Sequence, residues 1–323
     1  MSEPLPKCML IRYPHGISAV DAQYVRPGLA AVHIIEHSGR AAVVDVGTNH
    51  SVPHLLAALA ELGIERGAVE LILLTHVHLD HAGGAGLALR ELPNARAVLH
   101  PRGTTHMADP ARLIAGTIAV YGEEAYRALY GELLPIARER MVAMHDGQRL
   151  SLGGRELLLL ETPGHALHHY SIVDLAYANV FTGDTFGVSY RELDGPNGAF
   201  IVPATTPTQF DPEQLVASIE RLLSYAPQAA YLMHYSRVTG LPRLAELLKM
   251  QVRELAAIAY RHARASDRAA AIRSEMRALW LQLARREGVA APEPVIDAVL
   301  GMDLELNTQG LVSFLERKSS AAY

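Results

Sequence analysis

Cysteine is nearly absent from this sequence, since Cys8 is the only one among 323 residues. A single thiol excludes an intramolecular disulfide, and it excludes a metal or iron–sulfur site built from several thiolates. Any metal site in this chain must therefore use histidine and carboxylate side chains. The sixteen histidines supply enough imidazole ligands, provided that the fold brings several of them together.

Long apolar runs are lacking as well. No segment approaches the roughly 18 uninterrupted apolar residues of a transmembrane helix, and residues 1–12 lack the basic and apolar regions of a signal peptide. The formal net charge of −5 argues against a general nucleic-acid binder. We therefore expect a cytoplasmic protein with neither nucleic acid nor membrane as a partner.

Segments of strand and helix character alternate up to about residue 240. Short apolar runs bounded by turn residues predict strands, and apolar residues at helical spacing predict helices. The predicted strands are 32–36, 41–46, 71–74, 97–100, 148–152, 156–160, 171–173, 179–182 and 229–233. The predicted helical segments are 51–62, 110–140 and 212–224. Residues 1–240 thus predict a mixed α/β domain with a helical insertion at 110–140.

Beyond residue 241 the pattern is wholly helical. Residues 241–323 therefore predict a helical C-terminal extension, with two short helices near its end at 292–300 and 309–317. Between residues 237 and 287, eleven Lys and Arg face five Asp and Glu. A solvated face on long helices is the simplest interpretation of this charge. The alternative is attraction for an anionic substrate, or for the acidic body of this same protein or its partner. A homodimer interface on these helices is a further alternative.

Four potential metal ligands stand within six residues, immediately after the apolar run at 71–74. They are His76, His78, Asp80 and His81. A loop at the end of a buried strand is a rigid place on which such side chains can converge. Alternate residues of a loop can face one way, so the first two could serve one ion and the last two a second. Gly83 and Gly84 follow, where glycine permits a close backbone approach.

Three further candidates follow predicted strands downstream. His165 ends the motif TPGH, Asp184 ends FTGD, and His234 follows the strand at 229–233. Each residue alone is a weak signal for a metal ligand. Together they occupy comparable positions, at the carboxyl ends of short apolar strands, where functional side chains are often placed.

The motifs THVHLDHAGG, TPGH and FTGD, followed by a late strand ending in histidine, resemble the metallo-β-lactamase superfamily, especially its glyoxalase II-like hydrolases. The resemblance covers about residues 20–240. It implies an α/β fold, a four-layer αβ/βα sandwich with the site at one edge of two sheets, here with a C-terminal all-helical extension. It also implies two divalent metal ions, for which these ligands favour zinc and also allow iron or manganese. The implied ligands are His76, His78 and His165 for the first ion, Asp80, His81 and His234 for the second, and Asp184 as the bridge.

Supporting residues are also implied. Asp45 matches the family's buried aspartate at a strand end, where it would orient a ligand. His169 follows His165 by four residues, where many members carry a second histidine near the site. Tyr190 is a pocket candidate if the helical segments border the substrate. Asp80 is also a candidate catalytic residue, as a proton acceptor.

The activity that the resemblance implies is hydrolysis of an ester, thioester, lactone or phosphodiester of a small molecule by a metal-bridging hydroxide. One alternative is an iron-dependent persulfide dioxygenase-like or oxygen-binding diiron protein on the same fold. Others are a metal-retaining regulatory protein with little turnover and a nuclease. His78 favours hydrolysis over diiron chemistry, because diiron flavoprotein relatives commonly carry Glu there. The lack of interleaved basic and aromatic residues argues against a nuclease.

Overall fold

The computed structural model describes residues 6, 8–205 and 209–320. The chain divides into two compact units, each assembled from several segments. The first unit comprises Met1–Glu161, His168–Gly183 and Met233–Ser236, and the second comprises Thr162–Leu167, Asp184–Leu232 and Arg237–Tyr323. The predicted division into residues 1–240 and 241–323 stays a prediction.

A mixed seven-stranded sheet forms much of the first unit. Its strands are β1 (Leu10–Tyr13), β2 (Ile17–Asp21), β3 (Ala31–His37), β4 (Arg40–Val44), β5 (Val69–Leu73), β6 (Arg96–Leu99) and β7 (Met141–Ala143). They are ordered β1 to β7 across the sheet, antiparallel from β1 to β4 and parallel from β4 to β7. β5 is an interior strand with neighbours on both sides, which agrees with its uninterrupted apolar end.

Helices connect the parallel strands of this sheet. They are α1 (Val52–Leu62), α2 (Leu79–Ala82), α3 (Ala85–Glu91), α4 (Pro101–Ala108), α5 (Ala111–Tyr121) and α6 (Glu123–Tyr130). α4 to α6 lie within residues 101–130, and a 3-10 helix covers Arg138–Arg140. The helical insertion predicted at 110–140 stays a prediction. Gly122 and Gly131 both have positive φ, of 83° and 67°, which ends a right-handed helix at each of them.

Four antiparallel strands complete the first unit. They are β8 (Arg149–Leu152), β9 (Arg155–Glu161), β10 (Tyr170–Asp174) and β11 (Asn179–Gly183), ordered β8-β9-β10-β11. A fully buried ion pair joins β9 to β10, with Arg155 Nη2 at 2.6 Å from Asp174 Oδ2. A second bond, from Arg155 Nε to Asp174 Oδ1 at 3.2 Å, makes the pair bidentate.

Helices dominate the described part of the second unit. In chain order the remaining elements are α7 (Pro212–Leu223), β12 (Ala229–Leu232), β13 (Ser236–Val238), α8 (Leu241–Arg261), α9 (Arg268–Arg286) and α10 (Glu293–Ser320). Asp211 caps α7 by accepting a hydrogen bond from the backbone N–H of Gln214 at 3.0 Å. The prediction of two short helices near the end of the chain was wrong, because α10 is one continuous helix of 28 residues. Buried apolar side chains along α10, such as Leu304 and Phe314, stabilise it despite its glycines.

Among the described residues, no helix combines the length and the apolar character needed to cross a membrane.

Candidate metal centre

The predicted ligand cluster lies at the carboxyl end of β5, with His76 and His78 in a short loop and Asp80 and His81 in α2. The strand ends at Leu73, and α2 begins at Leu79. The backbone after this loop is tightly packed, since a Cβ on Gly84 would lie 2.5 Å from the carbonyl oxygen of Thr48. Gly84 also donates its N–H to the carbonyl of Gly47 at 2.9 Å. Glycine at position 84 therefore allows the loop to lie against the segment that follows β4.

His76 and His78 face each other within that loop. His76 Nε2 lies 2.8 Å from His78 Nδ1. Both atoms could therefore bind one ion through metal–nitrogen bonds of about 2.0–2.1 Å. His76 Nδ1 lies 3.2 Å from Thr75 Oγ1. Because the Thr75 hydroxyl donates to Asp45 Oδ2 at 2.8 Å, it can accept the proton of His76 Nδ1. His76 then presents the lone pair of Nε2, the form in which imidazole binds a metal.

Asp80, His81 and His234 form a second group within the first unit. Each offers one ligand atom, and these atoms lie within 4.8 Å of one another. Asp80 Oδ2 is 3.7 Å from His81 Nε2 and 3.4 Å from His234 Nε2. Two imidazoles and a carboxylate suit zinc, and they also suit iron or manganese. The donor chemistry of this group therefore fits a divalent metal ion.

The two histidines of this group are oriented through their Nδ1 atoms. His81 Nδ1 lies 2.9 Å from Asp45 Oδ2, and His234 Nδ1 lies 2.9 Å from the carbonyl oxygen of Leu29. A carbonyl oxygen can only accept a hydrogen bond, so the proton of His234 is on Nδ1. The Nε2 lone pairs are consequently directed towards Asp80. This is the outer hydrogen bonding that metal-binding histidines usually show.

Asp45 connects the ligand loop to the end of β4. Its carboxylate accepts hydrogen bonds from the Thr75 backbone N–H at 2.8 Å, from the Thr75 hydroxyl and from His81 Nδ1. Asp45 is buried and has a φ of +54°, which aspartate tolerates better than most residues. This is the geometry that the orienting role expected of Asp45 requires. Thr75 was not among the predicted site residues. It contributes to this arrangement through the two hydrogen bonds that it donates to Asp45.

His169 lies beside His76 in the first unit, with ring centroids 4.9 Å apart. A Cβ on Gly183 would lie 2.6 Å from His169 Nε2, so glycine at this position leaves room for the ring. The neighbouring His168 has its ring centroid 5.9 Å from that of His78. Both rings therefore lie beside proposed ligands, and a pocket role for His169 stays a prediction.

Two tyrosines outside the predicted site lie near enough to Asp80 to be affected by its charge. Tyr24 and Tyr130 are buried, with their hydroxyl oxygens 2.7 Å apart. Burial raises the pKa of Tyr24 well above its ordinary value, and the charge of Asp80 raises it further. Burial also raises the pKa of Tyr130, with added effects of Tyr24 and Asp80. No local sequence pattern marks them, because Tyr24 follows β2 and Tyr130 ends α6.

His165 and Asp184 lie together in the second unit, and both are buried. His165 Nε2 is 3.3 Å from Asp184 Oδ2. His165 Nδ1 donates to the carbonyl oxygen of Ala204 at 3.0 Å, which leaves the Nε2 lone pair directed towards Asp184. Tyr190 is also buried, and its hydroxyl donates to Asp303 Oδ1 at 3.2 Å. A pocket role for Tyr190 stays a prediction.

Imidazole and carboxylate groups with these orientations, on an α/β fold, could hold metal ions. A model of the metallo-beta-lactamase superfamily matches residues 25–234. Because this match covers more than half of the chain, the protein belongs to the metallo-β-lactamase superfamily.

Relatives of this chain include a protein named for its fold and two named enzymes. The chain is 25% identical over 236 residues to the metallo-beta-lactamase fold-containing protein ST1585 of Sulfurisphaera tokodaii, covering 72% of this chain and 81% of the relative. It is 27% identical over 186 residues to the acyl-coenzyme A thioesterase MBLAC2 of Gallus gallus, covering 52% and 62%. It is 31% identical over 114 residues to a hydroxyacylglutathione hydrolase of Cronobacter sakazakii, covering 35% and 32%. The chain thus spans less than two thirds of these two enzymes.

Solved structures show the same fold. The archaeal metallo-beta-lactamase superfamily protein ST1585 from Sulfolobus tokodaii matches with a TM-score of 0.64 and 21% identity, over 93% of this chain and 99% of that one. The family protein TTHA1429 from Thermus thermophilus matches with a TM-score of 0.61 and 20% identity, over 97% and 92%. At these identities the likeness concerns the fold alone. It confirms the predicted α/β fold of metallo-β-lactamase type with C-terminal helices.

Proposed function

We propose that the protein is a dinuclear metal-dependent hydrolase of small molecules and that a thioester is its preferred substrate class. The observation that carries the proposal is the group of Asp80, His81 and His234, whose ligand atoms converge while outer hydrogen bonds orient both imidazoles. The names of the thioesterase and the hydroxyacylglutathione hydrolase support the thioester class, because both describe cleavage of an acyl–sulfur bond. Esters, lactones and phosphodiesters are the other substrates that this chemistry permits.

Family membership supports the full ligand assignment. We assign His76, His78 and His165 to the first ion, Asp80, His81 and His234 to the second, and Asp184 to both. Zinc is the proposed native metal, and the same donors accept iron or manganese. The positions of the ring nitrogens agree with this assignment, because His76 Nε2 lies 2.8 Å from His78 Nδ1 and His165 Nε2 lies 3.3 Å from Asp184 Oδ2.

Two divalent ions held by these residues would supply Lewis acidity and lower the pKa of water towards neutrality. The chain contributes ligand orientation through Asp45, Leu29 and Ala204, so that little rearrangement is needed when the substrate binds. Asp80 is the proposed proton acceptor. Its side chain is mostly buried, which orients it, and the remaining 21% exposure lets it exchange protons with solvent. No serine or cysteine nucleophile is required.

The proposed partner is a small molecule rather than a nucleic acid or a membrane. Much of the basic charge of α8 and α9 is already balanced within the second unit by acidic side chains. The pairs are Lys249 with Glu220 and Glu246, Arg261 with Glu254 and Glu275, Arg277 with Asp297, and Arg285 with Glu293. This pairing favours the solvated helical face over a phosphate-binding surface. A cytoplasmic location and a homodimer stay proposals based on the sequence.

The test begins with the metal content of protein purified without added metal. We expect about two ions per chain and hydrolysis of acyl thioesters that exceeds hydrolysis of esters, lactones and phosphodiesters by the same sample. His81→Ala should lose metal and activity, whereas the control His37→Ala, at the end of β3, should retain both. Less than about one ion per chain, with no gain on adding zinc, manganese or iron, would refute the dinuclear hydrolase. Oxygen consumption with a persulfide would instead support the iron-dependent alternative.

A further inference from the structure

Helix α10 carries a buried carboxamide that binds the loop next to His165. Asn307 is 1% exposed. Its Oδ1 accepts hydrogen bonds from the backbone N–H of Thr205 at 2.5 Å and from the Thr205 hydroxyl at 3.0 Å. Its Nδ2 donates to the carbonyl oxygen of Pro203 at 2.8 Å. One side chain therefore binds the backbone on both sides of Ala204.

Ala204 is the residue whose carbonyl oxygen accepts the proton of His165 Nδ1, at 3.0 Å. Its carbonyl belongs to the same rigid peptide unit as the N–H of Thr205, because the peptide bond is planar. Asn307 binds that N–H directly, so it holds the plane in which the Ala204 carbonyl lies. The orientation of this carbonyl in turn determines where His165 directs Nε2, which lies 3.3 Å from Asp184 Oδ2.

The position of Asn307 within its helix also points to a specific role. The side chains three residues before it and four residues after it, Leu304 and Leu311, are buried and apolar. An amide on such a face lowers helix propensity, and burying it costs free energy unless it is hydrogen-bonded. Leucine would satisfy both the helix and the apolar face. Binding the backbone at 203–205 is what the amide adds.

We infer that Asn307 is a positioning residue for the metal ligand His165, acting through the carbonyl group of Ala204. The inference rests on the proposed function, which supplies the role of His165 as a ligand. It makes the C-terminal helical extension part of the support of the metal centre. Loss of the carboxamide should loosen the Ala204 carbonyl and allow the His165 imidazole to exchange between tautomers.

The experiment compares two variants. Asn307→Leu removes every hydrogen bond of the carboxamide and replaces it with a side chain of similar size. Asn307→Asp keeps an acceptor for the Thr205 N–H. Gln309→Ala is the control, because the partly exposed Gln309 amide donates to Glu305 on the same helix and not to the 203–205 backbone. Nitrogen-15 NMR of the full-length, metal-free protein reports the tautomer of His165. Competition with a chelator reports the affinity for zinc.

We expect Asn307→Leu to weaken binding of one zinc ion about tenfold or more, as for the outer partners of metal-binding histidines. We also expect it to lose the Nδ1–H signature of His165. Asn307→Asp should fall between Asn307→Leu and wild type, and Gln309→Ala should match wild type. If Asn307→Leu does not fold, Asn307→Asp with the same two measurements decides the matter.

Retention of both the tautomer and wild-type zinc affinity in the folded Asn307 variants would overturn the inference. Failure of the proposed function is a separate result, because wild-type protein itself would then lack bound zinc or thioester hydrolysis. In that case the tautomer of His165 in metal-free protein still tests whether Asn307 positions the ring.

Discussion

His81 Nδ1 lies 2.9 Å from Asp45 Oδ2, and both side chains are buried. The same carboxylate accepts hydrogen bonds from the backbone N–H and the hydroxyl of Thr75, the residue before the first histidine of the loop. One side chain at the end of β4 therefore orients a proposed ligand and fixes the start of the loop that carries the others.

Asp45→Asn should fold but bind zinc about 10–100-fold more weakly than wild type. Asparagine offers one acceptor oxygen to three donors, and it tolerates the positive φ at this position, so the change is mainly one of hydrogen bonding. Competition with a chelator measures the affinity. The control is Asp109→Asn, an exposed aspartate that bonds to the backbone N–H of Ala111. Equal affinities in wild type and Asp45→Asn would show that the carboxylate does not support the site.

Asp184→Asn should lose one of two bound metal ions and most of the activity. A neutral amide binds a hard cation more weakly than a carboxylate does, so the loss in kcat should exceed the ~10–100-fold typical of an outer residue. Metal analysis and thioester assays on the same sample make the measurement. If this variant retained two ions and full activity, the assignment of Asp184 as the bridging ligand would be wrong.

Acid should destabilise the fold through His33 in β3. Burial lowers the pKa of His33 from 6.5 to about 3, whereas in the unfolded chain it protonates below about pH 6.5. Between these pH values the unfolded state binds more protons, so the free energy of unfolding falls as the pH falls. The slope due to this group approaches ~1.4 kcal/mol per pH unit.

The matching variant is His33→Gln, which replaces the ring with a neutral side chain. Urea unfolding of metal-free protein between about pH 6.5 and pH 4 should show a shallower dependence on pH in this variant. His37→Gln, at the partly exposed end of the same strand, should keep the wild-type slope. Parallel curves for wild type and His33→Gln would mean that His33 is not held neutral by the fold.

Gly84→Ala should destabilise the protein by about 1–3 kcal/mol, the usual cost of overpacking. The added Cβ would lie 2.5 Å from the carbonyl oxygen of Thr48 and 2.9 Å from Val52 Cγ2. Gly116→Ala in α5 is the matched control, because its Cβ meets no atom within 4 Å and should stabilise the helix by about 0.5–1 kcal/mol. Denaturant unfolding compares them, and a Gly84→Ala variant as stable as wild type would disprove the close packing.

The ligand loop and the strands that lead to proposed ligands could be predicted because their signals are local. A short apolar run marks β5, and the spacing of His76, His78 and His81 follows it directly. The nine predicted strands are all present within a few residues. β1, β2, β7 and β13 were missed. Three of them, β1, β7 and β13, have only three or four residues with mixed burial and carry little pattern. β2 is fully buried, but its sequence ISAVD contains serine and aspartate and forms no uninterrupted apolar run.

The supporting residues could not be predicted in the same way, because their roles depend on contacts between distant parts of the chain. Tyr24 reaches Tyr130 across 106 positions, and Asn307 reaches Thr205 across 102. The continuity of the long helix α10 could not be predicted for the same reason. Its local sequence suggested an interruption, and burial of its apolar side chains overrode that preference.

Two of the three Nδ1 acceptors beside His81, His165 and His234 are main-chain carbonyls, those of Ala204 and Leu29. A codon change at position 29 or 204 alters the side chain and leaves that oxygen in the chain. The acceptor at position 45 exists only while the codon specifies an acidic or amide residue. Random mutagenesis should therefore find positions 29 and 204 permissive to small substitutions and position 45 intolerant, although all three serve equivalent imidazoles.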